Sequence, residues 1–295
     1  MIIMQMCGGL GNQMFQYACY MKLKSIGKEV KFDDVTSYEL DNARPIQLAV
    51  FGLDYPRATR NEVTVMRDSS PALKDKIRRK IRGRNLKQYI ENNYCYDEKI
   101  FNMDDIYLIG YYQSEKYFKN IENEIRKAFT FRRELFAEWC LKVEEAILDT
   151  PESVSIHIRR GDYTVSDGDN IYADICTDEY YEAALSYIID KYPDARFYLF
   201  TNDHKWASYF IMQHSHLSIT EVIGSTEYTG YQDMYLMSRC KHHVIANSSF
   251  SWWGAYLGNQ EGITIAPKPW LNSEYCSDIH TENMICIDSE GNVLN

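Results

Sequence analysis

The sequence predicts an α/β protein of two lobes, each built around a parallel sheet. Its 295 residues exceed what one small core usually holds, because domains commonly have roughly 100 to 150 residues. Apolar runs of strand length alternate with segments of helical periodicity in both halves of the chain. The break at Thr150-Pro151-Glu152-Ser153 interrupts this alternation. We therefore expect one lobe over residues 1–150 and a second over residues 151–295.

The first half opens as a β-α-β unit. Ile2 to Met6 is a short apolar strand, and after a glycine turn apolar residues recur at helical spacing from Met14 to Met21. Glu29 to Phe32 predicts a second strand, which ends in two aspartates. Helical periodicity returns between Lys119 and Leu148.

The second half repeats the alternation. Strands are predicted over Val154 to Ile158, Arg196 to Phe200 and Ile263 to Ala266, and helices over Thr177 to Lys191 and His204 to Gln213. In parallel sheets ligands bind beyond the carboxyl ends of the strands. We therefore expect the site at those ends, in the cleft between the lobes.

The composition excludes several classes of protein. A formal net charge of −10 argues against a general nucleic-acid binder, whose affinity comes from cations that neutralise phosphates. The N-terminal residues show neither an export signal nor a membrane span, which favours a cytoplasmic protein. The eight cysteines contain no C-x-x-C pair, so we expect reduced, mostly buried thiols and no zinc site.

One stretch of the chain is strongly basic. Between Lys74 and Lys87 eight cations are interrupted by a single acid, Asp75. A solvated helix or loop face is the usual explanation of such a run. The alternative is peripheral contact with an anionic surface at the inner face of a membrane, or with a lipid-linked phosphate substrate.

The segment His157-Ile158-Arg159-Arg160-Gly161-Asp162 stands at the end of a predicted strand, where the site of an α/β protein lies. Strand alternation directs His157 and Arg159 to one side and Arg160 to the other. An arginine fork contacts two phosphate oxygens at once and keeps its charge. We predict an anion site with Arg159 as its cation. The alternative is a structural arginine paired with Asp203 or with the motif's own aspartate.

Two further turns have the composition of an anion site. In Gly8-Gly9-Leu10-Gly11-Asn12-Gln13 the glycines allow the backbone to approach a ligand at a helix start, and the two amides favour a polar one; a tight structural turn is the alternative. Asn247-Ser248-Ser249-Phe250-Ser251 follows an apolar strand and predicts a hydroxyl-rich helix N-terminus suited to phosphate. The adjacent Trp252-Trp253 pair is more typical of a core than of a sugar-stacking platform.

A rival signal is the D-x-D triplet Asp167-Gly168-Asp169. Two carboxylates at this spacing can hold a divalent metal against a diphosphate. They also arise easily by chance in a chain with 42 acidic residues. Because Arg159 already supplies the positive charge that a diphosphate needs, we expect no metal site.

Four segments taken together resemble the α-1,2-fucosyltransferases of glycosyltransferase family 11. They span nearly the whole chain in the family's order: Gly8 to Ala18, Gly110 to Phe118, His157 to Tyr163 and Asp233 to Trp253. The resemblance implies a GT-B type fold of two facing Rossmann-like lobes with the active site in the cleft between them. Residues 1–150 would form the acceptor side and residues 151–295 would bind GDP-fucose.

The resemblance further implies an inverting enzyme that moves L-fucose from GDP-β-L-fucose to the 2-hydroxyl of a terminal β-galactoside. The acceptor would be an oligosaccharide or a lipid-linked glycan, and no metal or other cofactor would be needed. A related transferase with another nucleotide sugar or linkage, or a catalytically inactive glycan-binding module, are the alternatives.

The resemblance also implies roles for individual residues. Arg159 would bind the diphosphate, His157 would lie near the guanosine, and Asp233 would accept hydrogen bonds from guanine. Asn12 would lie near the transferred sugar or its phosphate. The rest of the donor site would comprise Gly11, Asn247, Ser248, Ser249 and Phe250. Asp162 and Asp167 are the candidates for the general base.

Overall fold

The structure, a computed structural model, describes residues 1–40, 45–92, 94–160, 171–258, 261–272 and 278–294. The chain divides into two compact units, Met1–Thr130 and Phe131–Asn295.

The first unit is a four-stranded parallel sheet with surrounding helices. Its strands are β1 (Ile2–Gln5), β2 (Val30–Asp33), β3 (Gln88–Ile90) and β4 (Ile106–Ile109). They lie in the order β2-β1-β4-β3, and all neighbouring pairs are parallel. Its helices are α1 (Leu10–Ser25), α2 (Thr36–Leu40), α3 (Arg60–Met66), α4 (Leu73–Arg82) and α5 (Glu122–Ala128), with 3-10 turns at Leu48–Phe51, Glu98–Asn102, Glu115–Tyr117 and Lys119–Ile121.

The predicted β-α-β opening is confirmed, with one difference at the start of its helix. α1 begins at Leu10, earlier than the first periodic apolar residue, Met14. Gly9 stands at the N-cap in an extended conformation, and Gly8 has a φ of +78°, which favours glycine. The glycine turn is therefore compact, and Gly11 and Asn12 belong to the first turn of the helix.

The second unit is a seven-stranded sheet. Its strands are β5 (Ser153–Ile158), β6 (Arg196–Thr201), β7 (Ser218–Glu221), β8 (His242–Val244), β9 (Thr264–Pro267), β10 (Met284–Ile287) and β11 (Val293–Leu294). Its helices are α6 (Glu138–Leu148), α7 (Asp178–Lys191), α8 (His204–Gln213), α9 (Tyr231–Arg239) and α10 (Ser249–Leu257), with a 3-10 turn at Arg133–Leu135. The strand order is β11-β10-β9-β8-β5-β6-β7, and only the β10–β11 pair is antiparallel.

This order fixes where a ligand of the second unit should bind. Counted from β5, the six parallel strands run 3-2-1-4-5-6, which is the Rossmann arrangement. The order reverses between β5 and β8, and open α/β sheets bind ligands outside the carboxyl ends of the strands at such a reversal. His157 to Arg160 come at the end of β5, and Asn247 to Phe250 follow β8. The α/β class with parallel sheets in both halves is confirmed.

The compact units divide earlier in the chain than the expected boundary at residue 150. α6 accounts for the difference, because it packs on α9 in the second unit. Just before α6, the backbone N–H of Ala137 donates to the Gln232 side chain at 2.8 Å. Within α6, the Trp139 ring lies so close to Gly224 that a Cβ there would come within 2.6 Å of it. Helical periodicity shows that a helix has an apolar face but not which sheet covers it.

The core of the second unit contains the tryptophan pair. Trp252 and Trp253 are fully buried, with ring centroids 5.0 Å apart in an edge-on arrangement. The Trp252 indole N–H donates to the carbonyl of Ile279 at 2.8 Å. The core interpretation of this pair is confirmed.

The cysteines and the helices can also be described for the part of the chain that the structure covers. The seven cysteines within it are free, and Cys19, Cys140, Cys240 and Cys286 are buried. None of the described helices is long and apolar enough to cross a membrane.

Candidate functional site

His157 lies near the end of β5, and its side chain is on the face of the sheet that packs against α10. Its ring is buried and lies 5.8 Å from the Phe250 ring, centroid to centroid. Burial, together with the charge of Arg159, lowers the pKa of His157 to about 3, so the imidazole is neutral at physiological pH. Its Nδ1 is buried without a hydrogen-bond partner among the described residues. A neutral ring with an unused nitrogen beside an aromatic side chain suits contact with a ligand and not proton transfer.

The two arginines after β5 have different surroundings. The backbone N–H of Arg160 donates to Asn202 at 3.0 Å, and Asn202 donates back to the Arg160 carbonyl at 2.9 Å. The Arg160 guanidinium lies 3.6 Å from Asp203 and over the Trp206 ring, 4.9 Å from its centroid. Arg160 therefore holds the end of β5 to the start of α8.

Arg159 lines a cavity of about 240 Å³ at the carboxyl end of β5. Asn247, which follows β8, lines the same cavity, as does Thr177 at the start of α7. The cavity thus lies at the reversal of strand order, where the fold predicts a ligand. The lining also includes Asp174 and Asp178. The cavity therefore offers positively charged hydrogen-bond donors and negatively charged acceptors.

Asp233 lies in the first turn of α9 and is partly buried, with its Oδ1 atom shielded from solvent. One carboxylate oxygen accepts the Ser225 hydroxyl at 2.5 Å, and the other, Oδ1, has no hydrogen-bond partner among the described residues. Burial raises the pKa of this carboxyl to about 6, against the opposing effects of Ser225 and of the nearby His204. An unpaired buried acceptor costs on the order of 1–3 kcal/mol or more. Such an oxygen marks a position where a ligand donor is expected.

The three serines at the start of α10 have different surroundings. Ser248 is the N-cap, and its hydroxyl accepts from the Phe250 backbone N–H at 3.3 Å. Ser251 is buried, with its hydroxyl close to the carbonyls of Ala246 and Ser248 at 3.3 and 3.2 Å. Only Ser249 and Phe250 are partly exposed. The excess of serine therefore reflects local structure at two of the three positions, which weakens the hydroxyl count as a phosphate signal.

Asn247 is also held within the fold. Its side-chain nitrogen donates to the carbonyls of Tyr172 and Trp270 at 3.1 and 3.4 Å, and its oxygen lies 3.5 Å from the Cys176 sulfur. These bonds pin the loop after β8 to the segment before α7. In the structure Asn247 shapes the cavity wall more than it offers a donor to the cavity.

In the first unit the glycine turn places Asn12 at the carboxyl end of β1. A Cβ at Gly8 would come within 2.4 Å of the Asn12 amide nitrogen, so glycine is required there for close approach as well as for its φ. The Asn12 oxygen accepts from the Gln113 side chain at 2.8 Å. Gln13 is used inside the unit, since its nitrogen donates to the carbonyl of Gly8 at 2.9 Å and its oxygen accepts from the Gln47 N–H at 2.9 Å. Of the two amides, only Asn12 remains a candidate.

Two residues of this region had no role in the sequence analysis. Gln113, which orients Asn12, lies in the loop after β4, the strand adjacent to β1. Glu91, directly after β3, accepts the backbone N–H groups of Tyr111 at 2.7 Å and Tyr112 at 3.0 Å. Gly110 has no room for a Cβ, which would lie 2.6 Å from the Cβ of Glu91. Gln113 lies within the Gly110 to Phe118 segment, one of the four that resemble the family, so the sequence offered a reason to consider it. No sequence feature distinguished Glu91 from the other acidic residues.

Both general-base candidates, Asp162 and Asp167, lie outside the described residues, as does the D-x-D triplet. Within the described part of the chain, no group of three or more His, Cys, Asp or Glu side chains could hold a metal ion.

Comparison with known proteins decides the family. Residues 1–288 match the sequence profile described as Glycosyl transferase family 11. The chain belongs to glycosyl transferase family 11. It is a glycosyltransferase, as the sequence predicted, and the match covers both compact units.

Relatives of this family 11 chain span almost its full length. An α-1,2-colitosyltransferase of Escherichia coli is 31% identical, over 92% of this chain and 93% of that protein. The O-antigen biosynthesis glycosyltransferase WbnK of Escherichia coli is 29% identical, over 94% of this chain and 97% of that protein. Galactoside α-(1,2)-fucosyltransferase 1 of Mus musculus is 24% identical, over 91% of this chain and 66% of that protein.

Proposed function

We propose that this family 11 enzyme transfers L-fucose from GDP-β-L-fucose to the 2-hydroxyl of a terminal β-galactoside, with inversion at the anomeric carbon. The observation that carries the proposal is the unpaired oxygen of Asp233. Guanine presents two neighbouring donors, N1–H and the N2 amino group, whereas uracil has a single N–H. The Asp233 oxygen that accepts from Ser225 keeps a second lone pair, so the carboxylate can accept both guanine donors.

The diphosphate is assigned to Arg159 and to the start of α10. Arg159 lines the cavity at the reversal of strand order, as does Arg160, and the resemblance assigns the diphosphate to the first arginine of the motif, which is Arg159. The N-terminus of α10 adds the positive end of a helix dipole, with Ser248 at the N-cap and Ser249 and Phe250 in the first turn. Both features favour the negative charge that grows on the departing GDP, and loss of one such contact commonly costs about 10² to 10³ in rate.

The acceptor hydroxyl attacks the anomeric carbon from the side opposite GDP, through an oxocarbenium-like transition state. In this proposal the second unit binds the donor and the first unit supplies the acceptor side. Asn12, oriented by Gln113, contacts the transferred sugar or its phosphate. Asp162 or Asp167 takes the proton from the acceptor. No metal takes part, because Arg159 carries the required positive charge.

Colitose is a second candidate for the transferred sugar, since a relative with 31% identity is named a colitosyltransferase. Colitose is fucose without its 3-hydroxyl, so the two sugars can share a GDP site and differ in one hydrogen bond. The comparison of kcat/KM for GDP-fucose and GDP-colitose decides between them. A site that hydrogen-bonds the 3-hydroxyl should reject the deoxy sugar strongly.

The direct test is turnover of GDP-fucose with a panel of β-galactosides, with the product linkage assigned by NMR. We expect GDP release that depends on the galactoside, a new bond at its 2-hydroxyl, and the same rate in a metal chelator. Turnover of a UDP-sugar in place of GDP-fucose would overturn the donor assignment. Complete loss of activity in the chelator would indicate that a metal, and not Arg159, supplies the positive charge at the diphosphate.

We also propose that the acceptor is lipid-linked and that the enzyme works on the cytoplasmic side of a membrane. A relative named for O-antigen biosynthesis supports an acceptor of bacterial polysaccharide type. Comparison of a free oligosaccharide with its lipid-linked form tests this part, and a lower kcat/KM for the lipid-linked form would contradict it.

A further inference from the structure

Helix α4 carries its apolar residues on the solvent side. Leu73, Ile77 and Ile81 are spaced four apart and lie along one side of the helix. Their exposed fractions are 73%, 51% and 75%, and no residue of α4 is buried. A helix that packs on a soluble core turns its apolar stripe inward. In α4 the usual orientation is reversed.

The polar side of α4 holds the helix to the first unit. Arg78 donates to Asp68, and the second Asp68 oxygen accepts from the backbone N–H of Asn85 at 2.9 Å. Arg79 donates to the carbonyl of Ser70 at 2.6 Å. Arg78 and Arg79 are partly buried, whereas the apolar residues are not. Charged hydrogen bonds thus fix the orientation that exposes the apolar stripe.

Lysines border the exposed stripe. With 100° between successive helical residues, Lys74 lies on one side of it and Lys76 and Lys80 lie on the other. All three side chains are exposed. A second copy of the chain would bring the same three cations against them, which like-charge repulsion opposes. An apolar stripe between lysines instead complements a surface with anionic head groups above an apolar interior.

We infer that α4 docks on the surface of an anionic lipid bilayer. Leu73, Ile77 and Ile81 enter the boundary between head groups and acyl chains, and the lysines contact lipid phosphates. This inference goes beyond the proposed function, because it needs neither the donor nor the acceptor. It divides the basic stretch into cations that hold the helix in place and cations that meet the membrane.

Sedimentation of the full chain with lipid vesicles tests the inference. We expect binding to phosphatidylcholine vesicles that contain about 30 mol % phosphatidylglycerol and little binding to phosphatidylcholine alone. Each lysine near an anionic surface contributes about fivefold in affinity, so joint replacement of Lys74, Lys76 and Lys80 by glutamine should weaken binding about a hundredfold. Replacement of Lys127, Lys142 and Lys205, three exposed lysines elsewhere, is the matched control.

A second variant separates insertion from simple charge attraction. Joint replacement of Leu73, Ile77 and Ile81 by serine keeps every cation, and we expect a loss of at least about tenfold in vesicle affinity. Because these residues are exposed, the melting temperature and the turnover of a free oligosaccharide should not change. Equal binding of this variant and the parent chain would overturn the inserted stripe. Equal binding to neutral and anionic vesicles, or a dimer in analytical ultracentrifugation that the serine variant abolishes, would overturn the membrane as the partner.

Discussion

Asp233→Asn should raise the melting temperature of the ligand-free protein and at the same time abolish its response to GDP. Burial raises the pKa of Asp233 from 3.8 to about 6. At about 1.4 kcal/mol per pKa unit, the ionised carboxylate destabilises the fold by about 3 kcal/mol at neutral pH. Asparagine removes this charge but also loses the charge-assisted bond from Ser225, which offsets about 1 to 2 kcal/mol. We expect a net gain of about 1 to 2 kcal/mol, a few degrees in melting temperature.

The pH dependence of this gain has a defined sign. The folded-state pKa of Asp233 lies above the unfolded value, so its stabilising contribution is complete below pH 3.8 and is lost as the pH rises through about 6. The difference between variant and parent should therefore be largest above pH 7 and should shrink towards pH 5. In the proposed function the ionised carboxylate accepts the guanine donors, so the affinity of the parent chain for GDP should fall below pH 6.

Thermal unfolding by differential scanning fluorimetry between pH 5 and pH 8, with and without GDP, measures both effects. Loss of two charge-assisted hydrogen bonds to guanine should weaken GDP binding by at least about 10²-fold. Asp194→Asn, at an exposed carboxylate of the same unit, should change neither quantity. A variant that is less stable than the parent at every pH, or that still responds to GDP, would refute the assignment of Asp233 to guanine.

Replacement of the two arginines after β5 should have different effects. Arg159→Ala should lower kcat about 10² to 10³-fold with little change in melting temperature. Arg160→Ala should lower the melting temperature and retain most of kcat. Steady-state kinetics and thermal unfolding of both variants check this, and the reverse pattern would contradict it. Gln113→Leu removes the hydrogen bond that orients Asn12; kcat should fall about tenfold while KM for the donor stays constant, and an unchanged kcat would remove Asn12 from the catalytic set. Glu91→Gln should lower the free energy of unfolding by about 1 to 3 kcal/mol, measured by urea titration, and leave KM for GDP-fucose unchanged.

Periodicity predicted the strands and helices because burial of a regular element repeats along the sequence. It predicted β5, and both the strand order and the position of the motif at the end of β5 follow the Rossmann rule. It could not predict the unit that covers α6, or the side of α4 that faces the protein, because those depend on partners distant in sequence. Asp68 and Ser70 bind the arginines of α4 and so fix the side of the helix that faces solvent, but no sequence pattern marks these two residues.

In the candidate site, likewise, the sequence motif identifies the residues, whereas only their packing shows the role of each one. Arg159 and Arg160 are adjacent and chemically identical, and only the structure shows that Arg160 lies beside Asp203 and over the Trp206 ring. The three serines of the α10 turn are likewise equivalent in sequence. Their roles differ because Ser251 lies against two backbone carbonyls, whereas the Ser248 hydroxyl accepts the backbone N–H of Phe250.

Two partly buried carboxylates show how a candidate ligand-binding acid differs from a structural one. Burial raises the pKa of both Glu91 and Asp233, so the pKa direction alone would mark each as a site residue. Glu91 uses both oxygens to accept the N–H groups of Tyr111 and Tyr112, so an amide in its place would turn a donor towards a donor. Among the residues that the structure describes, no donor lies opposite Oδ1 of Asp233, so an amide there meets no such clash. The unfilled acceptor position, and not the pKa, is therefore the observation that favours Asp233 over Glu91 as a ligand-binding residue in the proposed function.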